Sequence, residues 1–258
     1  MAVRRPSRAA PFTLARRHLL GGLGALVAAP HLAWARSPSD LAMAQLRTGG
    51  TWNARPDALR RLAWELRQRT SIEVDLEPKV VELEQTQLFR YPFLYWSGSG
   101  PHPVPDENTL RVLRRHLTYG GSLLIDSADA EPGGAFDSSV RETLQALFPR
   151  QSLERIPNDH VLFKTFYLVD TQAGRVLRVP YLEGLALEDR YAVVYCQNDL
   201  AGAWSRDAFG RWSFDVSPGG DRQREMAFRL GINVVMYFLC LDYKDDLVHT
   251  PFILDRRR

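Results

Sequence analysis

Short apolar runs alternate with amphipathic stretches along most of this chain, which predicts strands and helices in turn. Residues 41–46 read as a first strand ending at Gly49-Gly50. Pro56 then opens a helix on which Leu59, Leu62, Ala63 and Leu66 recur at helical spacing, to about Arg69. Residues 72–76 and 80–83 read as short extended pieces, and 88–91 as an ordered turn. Residues 93–96 (Phe-Leu-Tyr-Trp) form an apolar strand stopped by Ser97-Gly98-Ser99-Gly100. Pro105 opens a second helix, with Leu110, Leu113 and Leu117 on one face and Gly120-Gly121 at its left-handed end. Residues 122–125 are a buried strand with Asp126, Ser127 and Asp129 at its exit. Asp137 suits the N-cap of a helix that runs to Phe148.

The second half continues the pattern. Residues 153–156 are extended, 157–160 (Pro-Asn-Asp-His) have turn chemistry, and the apolar 161–167 docks on the core. Residues 176–179 and 182–187 suit a hairpin or an edge excursion. Residues 191–196 are a buried strand that runs into Gln197-Asn198-Asp199, a small-residue segment and Trp204. A polar loop covers 205–221, and a last long helix covers 225–241, with Gly231 and Asn233 unusual on an apolar helix. The tail after that reads as irregular, with 41–245 as one α/β domain and 246–258 outside it. The strands are too apolar for a sheet with one wet face, so they predict a mostly parallel sheet covered on both sides. Asn233, if buried, needs partners and should brace a loop.

Polar residues at the carboxyl ends of parallel strands are where open α/β sheets place their sites. Asn198, Asp199 and Trp204 therefore form one candidate wall, suited to a small polar ligand by directional hydrogen bonds and an aromatic plane. Ser97, Gly98 and Asp129 form the others, with the 97–100 backbone able to offer N–H groups to an anion. A catalytic alternative uses Ser127 as nucleophile, with His160 as base and Asp126 or Glu183 orienting the imidazole. No G-x-S-x-G or G-x-C-x-G elbow supports it. A metal alternative would gather Asp126, Asp129, His160 and Asp199, but no short ligand motif accompanies them. The expectation is therefore no metal and no cofactor. The four segments around Ser97, Asp126, His160 and Asn198 are expected to meet.

Composition changes the picture in one respect. The formal charge of +3 and high isoelectric point suggest a polyanion partner. Five arginines, Arg4, Arg5, Arg8, Arg16 and Arg17, stand in the first 35 residues beside no acid. Without them 28 basic residues face 30 acidic ones, which removes the argument for nucleic acid. Those 35 residues read as an export leader: a basic start, a short apolar Gly/Ala-rich run over 19–32, and Ala33-Trp34-Ala35 as a cleavage site. Arg16-Arg17-His18-Leu19-Leu20 resembles the twin-arginine motif, and 36–40 is a linker. A periplasmic or extracellular protein with no membrane span in its mature part is expected. Its two cysteines, Cys196 and Cys240, are expected to be buried free thiols.

Several segments in order resemble a bacterial family of unestablished function, domain of unknown function 4159. They are Arg47-Thr-Gly-Gly-Thr-Trp52, Tyr91-Pro-Phe-Leu-Tyr-Trp-Ser-Gly98, Leu117-Thr-Tyr-Gly-Gly-Ser-Leu-Leu124 and Phe136-Asp-Ser-Ser-Val-Arg141. Phe148-Pro149, Pro157-Asn-Asp-His160, Asn198-Asp-Leu-Ala-Gly-Ala-Trp204 and Gly231-Ile-Asn-Val-Val-Met-Tyr237 complete the set. The resemblance implies a class I glutamine amidotransferase-like fold, a flavodoxin-like three-layer α/β sandwich. It implies no reaction. The expected function is non-catalytic binding of a small polar ligand or a cell-envelope protein, with the Ser127/His160 or metal-assisted enzyme as the competing reading.

Overall fold

The computed structural model describes residues 41–83 and 86–255, and of 241–255 only the helical backbone. The leader and linker readings over 1–40 fall outside the described residues. Residues Arg36–Arg258 cluster as one unit.

The strands are β1 (Met43–Arg47), β2 (Lys79–Glu82), β3 (Phe93–Gly98), β4 (Ser122–Ser127), β5 (Glu154–Arg155), β6 (Glu183–Leu187) and β7 (Arg190–Cys196). They form one sheet in the order β2-β1-β3-β4-β7-β6-β5. The first four pairings in that order are parallel, and β6 and β5 add antiparallel at one edge. The helices are α1 (Ala58–Arg69), α2 (Glu107–Thr118), α3 (Ala135–Leu147), α4 (Leu200–Trp204) and α5 (Gly220–Asp255).

Alternation along the central strands sorts side chains to two cores. Met43, Phe93, Tyr95, Leu124, Val194 and Cys196 face α1, α4 and α5. Ala44, Leu94, Trp96, Leu123, Ile125, Val193 and Tyr195 face α2 and α3. Both faces are covered, which is why β3 and β4 read as unbroken apolar runs.

The helices follow local rules. Leu59, Leu62, Ala63 and Leu66 make the buried stripe of α1, and the Thr70 hydroxyl closes its end on the Leu66 carbonyl at 2.7 Å. Asp106, one residue after Pro105, is the N-cap of α2; its carboxylate accepts from the Asn108 and Thr109 amides at 2.8 and 2.9 Å. Gly120, at φ 103°, takes the left-handed turn expected after α2. Asp137 is not the cap of α3. It sits in the first turn and reaches back to the Gly133 amide at 2.9 Å, while Gly134 holds the cap position.

Three further expectations change. Residues 182–187 pair with the following strand rather than with 176–179, because the tight turn at Glu188, φ 53°, folds β6 onto β7. The small-residue stretch after Asp199 is itself a short helix, α4. The last helix continues through Asp255 instead of stopping near Leu241, so 246–255 is helical rather than irregular. Residues 242–250 contain no Gly or Pro to end it.

Asn233 does brace a loop. Its Oδ1 accepts from the Tyr167 amide at 2.8 Å, and its Nδ2 donates to the Leu162 and Tyr167 carbonyls at 3.0 and 2.8 Å. Gly231 lets Trp204 approach: a Cβ there would lie 2.5 Å from the indole Cζ2. No helix among the described residues is long and apolar enough to cross a membrane.

Candidate functional site at the carboxyl ends of the strands

β1 and β3 are neighbours whose chain connections leave toward opposite edges of the sheet. Such a switch point, at the carboxyl ends of the strands, is where open α/β sheets leave a crevice. Register puts the ends of β3, β4 and β7 side by side, with Ser97 opposite Asp126 and Asp126 opposite Cys196. The polar residues there are built into two connected knots.

The first knot is Asp126. One carboxylate oxygen accepts from the Leu200 amide at 2.8 Å; the other accepts from the Ala201 amide at 2.8 Å and the Tyr95 hydroxyl at 3.0 Å. The start of α4 is thereby tied to the end of β4. Burial, reinforced by the charge of Asp199, pushes the Asp126 carboxyl up to about 7 despite these three donors.

The second knot is Asp199, in the left-handed region at φ 54°. Its side chain is fully buried. It caps α4 through the Gly202 amide at 2.9 Å and accepts two hydrogen bonds from Arg55, at 3.2 and 2.8 Å. Arg175 adds a third charged donor at 2.5 Å. Arg55 also reaches the Ala128 carbonyl at 3.3 Å and lies 4.2 Å from the centre of the Phe214 ring. Burial pulls the Arg55 guanidinium down, but the hydrogen bond and charge of Asp199, with Asp126 behind it, raise it overall.

Asn198, between these knots, orders a different loop. Its Oδ1 accepts from the Arg178 and Val179 amides at 2.8 and 3.1 Å, and its Nδ2 donates to the Gln172 and Val179 carbonyls at 2.7 Å each. Gly174 is required nearby, because a Cβ there would fall 2.2 Å from the Asn198 carbonyl oxygen.

The candidate residues are thus brought together only in part. Asp126, Ser127, Asp129, Ser97, Gly98, Asn198 and Asp199 share one end of the sheet, and His160 does not. The His160 ring packs on Tyr191 and Tyr237, with centroids 5.1 and 5.4 Å apart. Its Nδ1 accepts from the Leu162 amide at 3.2 Å. Tyr191 stands five residues before Cys196 on β7, which at about 3.3 Å per residue is about 16 Å from the strand's carboxyl end. Asp126 and Ser127 are consecutive in β4, so they point to opposite faces of the sheet. The Ser127–His160–Asp126 arrangement therefore does not assemble, nor does the four-residue metal set. Glu183, the other acid offered to that arrangement, is bound by Arg141 at 2.6 Å and by Gln197 at 2.6 Å. Among the described residues no group of three or more His, Cys, Asp or Glu side chains is placed to hold a metal.

The other candidates are corrected by burial. Trp204 is core: it is fully buried, donates to the Ala227 carbonyl at 3.1 Å and stacks on Phe228. Asn198 and Asp199 are buried, and their side-chain polar atoms are hydrogen-bonded inside the protein. The Ser97–Gly100 turn offers no anion nest. The Ser99 amide goes to the Thr51 carbonyl at 3.1 Å and the Gly100 amide to Asp129 at 2.8 Å, and Asp129 also holds the Ser99 hydroxyl at 2.6 Å. Gly98 is filled by Phe136, whose ring carbon would lie 2.3 Å from a Cβ. Among the described residues the buried Ser127 hydroxyl has no hydrogen-bond partner, and the buried Ser97 hydroxyl lies by that of Tyr95. Both cysteines are free, Cys196 buried and Cys240 exposed rather than buried. Burial pushes the Cys196 thiol well up.

Arg55, Arg175, Tyr95 and Phe214 do not stand out in the sequence, yet they complete the site. The available signal was indirect: a buried Asp199 demands cationic partners. The half-buried rim that faces outward consists of Arg55, Arg175, Phe214 and Asp129. No curated protein matches the chain. Residues 42–239 match the family described as "Domain of unknown function (DUF4159)". That match spans most of the sequence, and the chain belongs to the DUF4159 family.

Proposed function

We propose that this is an exported, non-catalytic binding protein of the cell envelope, built on a flavodoxin-like, class I glutamine amidotransferase-like sandwich. One observation carries the reading. The carboxylates of Asp126 and Asp199 are saturated by backbone amides, a tyrosine and two arginines, which leaves no free base beside Ser127 among the described residues. A nucleophile needs a base within hydrogen-bond reach. The fold assignment is supported by the order β2-β1-β3-β4-β7, which matches the 2-1-3-4-5 order of flavodoxin-like sheets. Export is supported by the basic and apolar leader ending at Ala33-Trp34-Ala35. The groups that could meet a small polar ligand or a partner are the rim residues Arg55, Arg175, Phe214 and Asp129.

Labelling with a fluorophosphonate, which traps activated serines, tests the non-catalytic reading. No adduct is expected, and an adduct at Ser127 that is lost in Ser127→Ala would overturn it. Cell fractionation tests export: the protein should appear outside the cytoplasm, and Arg16→Lys with Arg17→Lys should retain it inside.

A further inference from the structure

A second cluster of arginines is not balanced by its surroundings. Arg61 of α1, Arg206 of the 205–213 loop and Arg224 of α5 line one open groove of about 290 Å³, with Trp212 and Phe228 in its wall. Asp221, Arg224, Glu225 and Phe228 reach it from successive turns on one face of α5. Four guanidiniums and three carboxylates line the groove in all: Arg61, Arg69, Arg206 and Arg224 against Glu65, Asp221 and Glu225.

The acids are mostly committed. Glu65 pairs with Arg61 and, at 2.6 Å, with Arg69; Glu225 pairs with Arg69 at 2.8 Å and Arg229 at 2.9 Å. Among the described residues Arg206 and Arg224 form no ion pair. Arg224 is only 6% exposed, and its terminal nitrogens donate to the Ala203 and Phe214 carbonyls at 2.7 Å each. Arg206 donates to the Gly210 carbonyl at 2.6 Å. Both guanidiniums lie on the Trp212 ring, 3.8 and 4.2 Å from its centre. The Nε–H groups of Arg61, Arg206 and Arg224 are all buried, and among the described residues none has an acceptor. A buried charged donor without a partner is costly. Burial lowers both Arg61 and Arg224; Glu65 opposes it at Arg61, Asp221 and Asp215 oppose it at Arg224, and the charge of Arg206 adds to it at both.

The cluster is held rather than loose. Arg206 and Trp212 face each other across an antiparallel bridge. The Asp207 amide donates to the Arg211 carbonyl at 2.8 Å, and the Ser213 amide to the Ser205 carbonyl at 3.1 Å. Cations fixed before binding lose little entropy on meeting an anion.

We propose that the groove of Arg61, Arg206, Arg224 and Trp212 is a binding site for a phosphate-class oxyanion. Guanidinium groups match the geometry and charge of phosphate oxygens, and the ring of Trp212 keeps their planes in place. The proposal rests on the binding-protein reading above and gives it a ligand class.

The test is calorimetric titration of the full chain with inorganic phosphate at constant ionic strength, with chloride as the comparison anion. Saturable phosphate binding is expected, weakened about tenfold or more in Arg206→Gln. Arg60→Gln, a nearby exposed arginine already paired with Glu77 at 3.3 Å, should bind as the parent does. Thermal unfolding of each variant shows that the fold is kept. Competition by phosphatidylglycerol vesicles would identify a lipid headgroup as the source of the phosphate, and its absence a free ligand. No saturable binding, or binding unchanged by Arg206→Gln, overturns the site. Either failure would leave the non-catalytic reading standing, because that reading is judged by serine labelling.

Discussion

Replacing Asp199 by Asn isolates the charge at the centre of the strand-end site. Asn tolerates the left-handed backbone at φ 54°, so strain is not introduced. Its side chain keeps the shape and one acceptor oxygen, so the Gly202 amide can still be capped. What is lost is the negative charge facing Arg55 and Arg175. Removing one partner of a buried ion pair costs about 3–5 kcal/mol. The two guanidinium side chains are 15% and 26% exposed, so water recovers part of that, and about 3 kcal/mol is the expected loss. For a domain of this size the midpoint should fall by about 6–12 °C. Urea unfolding followed by circular dichroism gives the free energy. The double variant with Arg55→Met should be less destabilised than the sum of the singles by about 1 kcal/mol or more, because the two share one interaction. A loss below about 1 kcal/mol, or strict additivity, would show that Asp199 is not held as described.

Other perturbations have equally definite outcomes. The Asp126 carboxyl is raised from its ordinary 3.8 to about 7 by burial and the Asp199 charge. The native state therefore holds a proton that the unfolded chain releases, and the stabilisation is complete below about pH 4 and lost as pH rises through about 7. Asp126→Asn should flatten this slope in urea titrations at several pH values, whatever it does to absolute stability. Gly231→Ala should destabilise although Ala favours helix by about 1 kcal/mol, because its Cβ meets Trp204 at 2.5 Å and Leu62 at 3.0 Å; a rise in melting temperature would contradict the packing. Asn233→Ala should cost about 2–4 kcal/mol by stripping three hydrogen bonds, and proteolysis should then cut within 161–167.

The sheet and the larger helices were legible because their signals are local. Leu59, Leu62 and Leu66 mark a helix face, and Phe93 to Trp96 mark a strand covered on both sides. Asp126 and Asp199 were legible as polar residues following apolar strands. Their partners were not, since Arg55 stands 144 positions from Asp199 and no local pattern links them. The α4 helix was hidden because five residues carry too little periodicity, so Trp204 read as a ligand platform when it is core. His160 was misplaced for a related reason. A turn residue before an apolar run shows that the run docks, but not at which end of the sheet. Consecutive residues on a strand face opposite ways, and that rule alone separates Asp126 from Ser127.

The strand-end carboxylates are engaged inside the protein. Hydrogen exchange of the Leu200, Ala201 and Gly202 amides reports this directly, since they donate to Asp126 and Asp199 at 2.8, 2.8 and 2.9 Å. These three amides should be protected nearly as strongly as the centres of β4 and β7, and Asp126→Asn, which keeps one acceptor oxygen, should release one of the first two. Exchange at the rate of an open loop in the parent protein would mean the carboxylates are free, and the internal role assigned to them would be wrong.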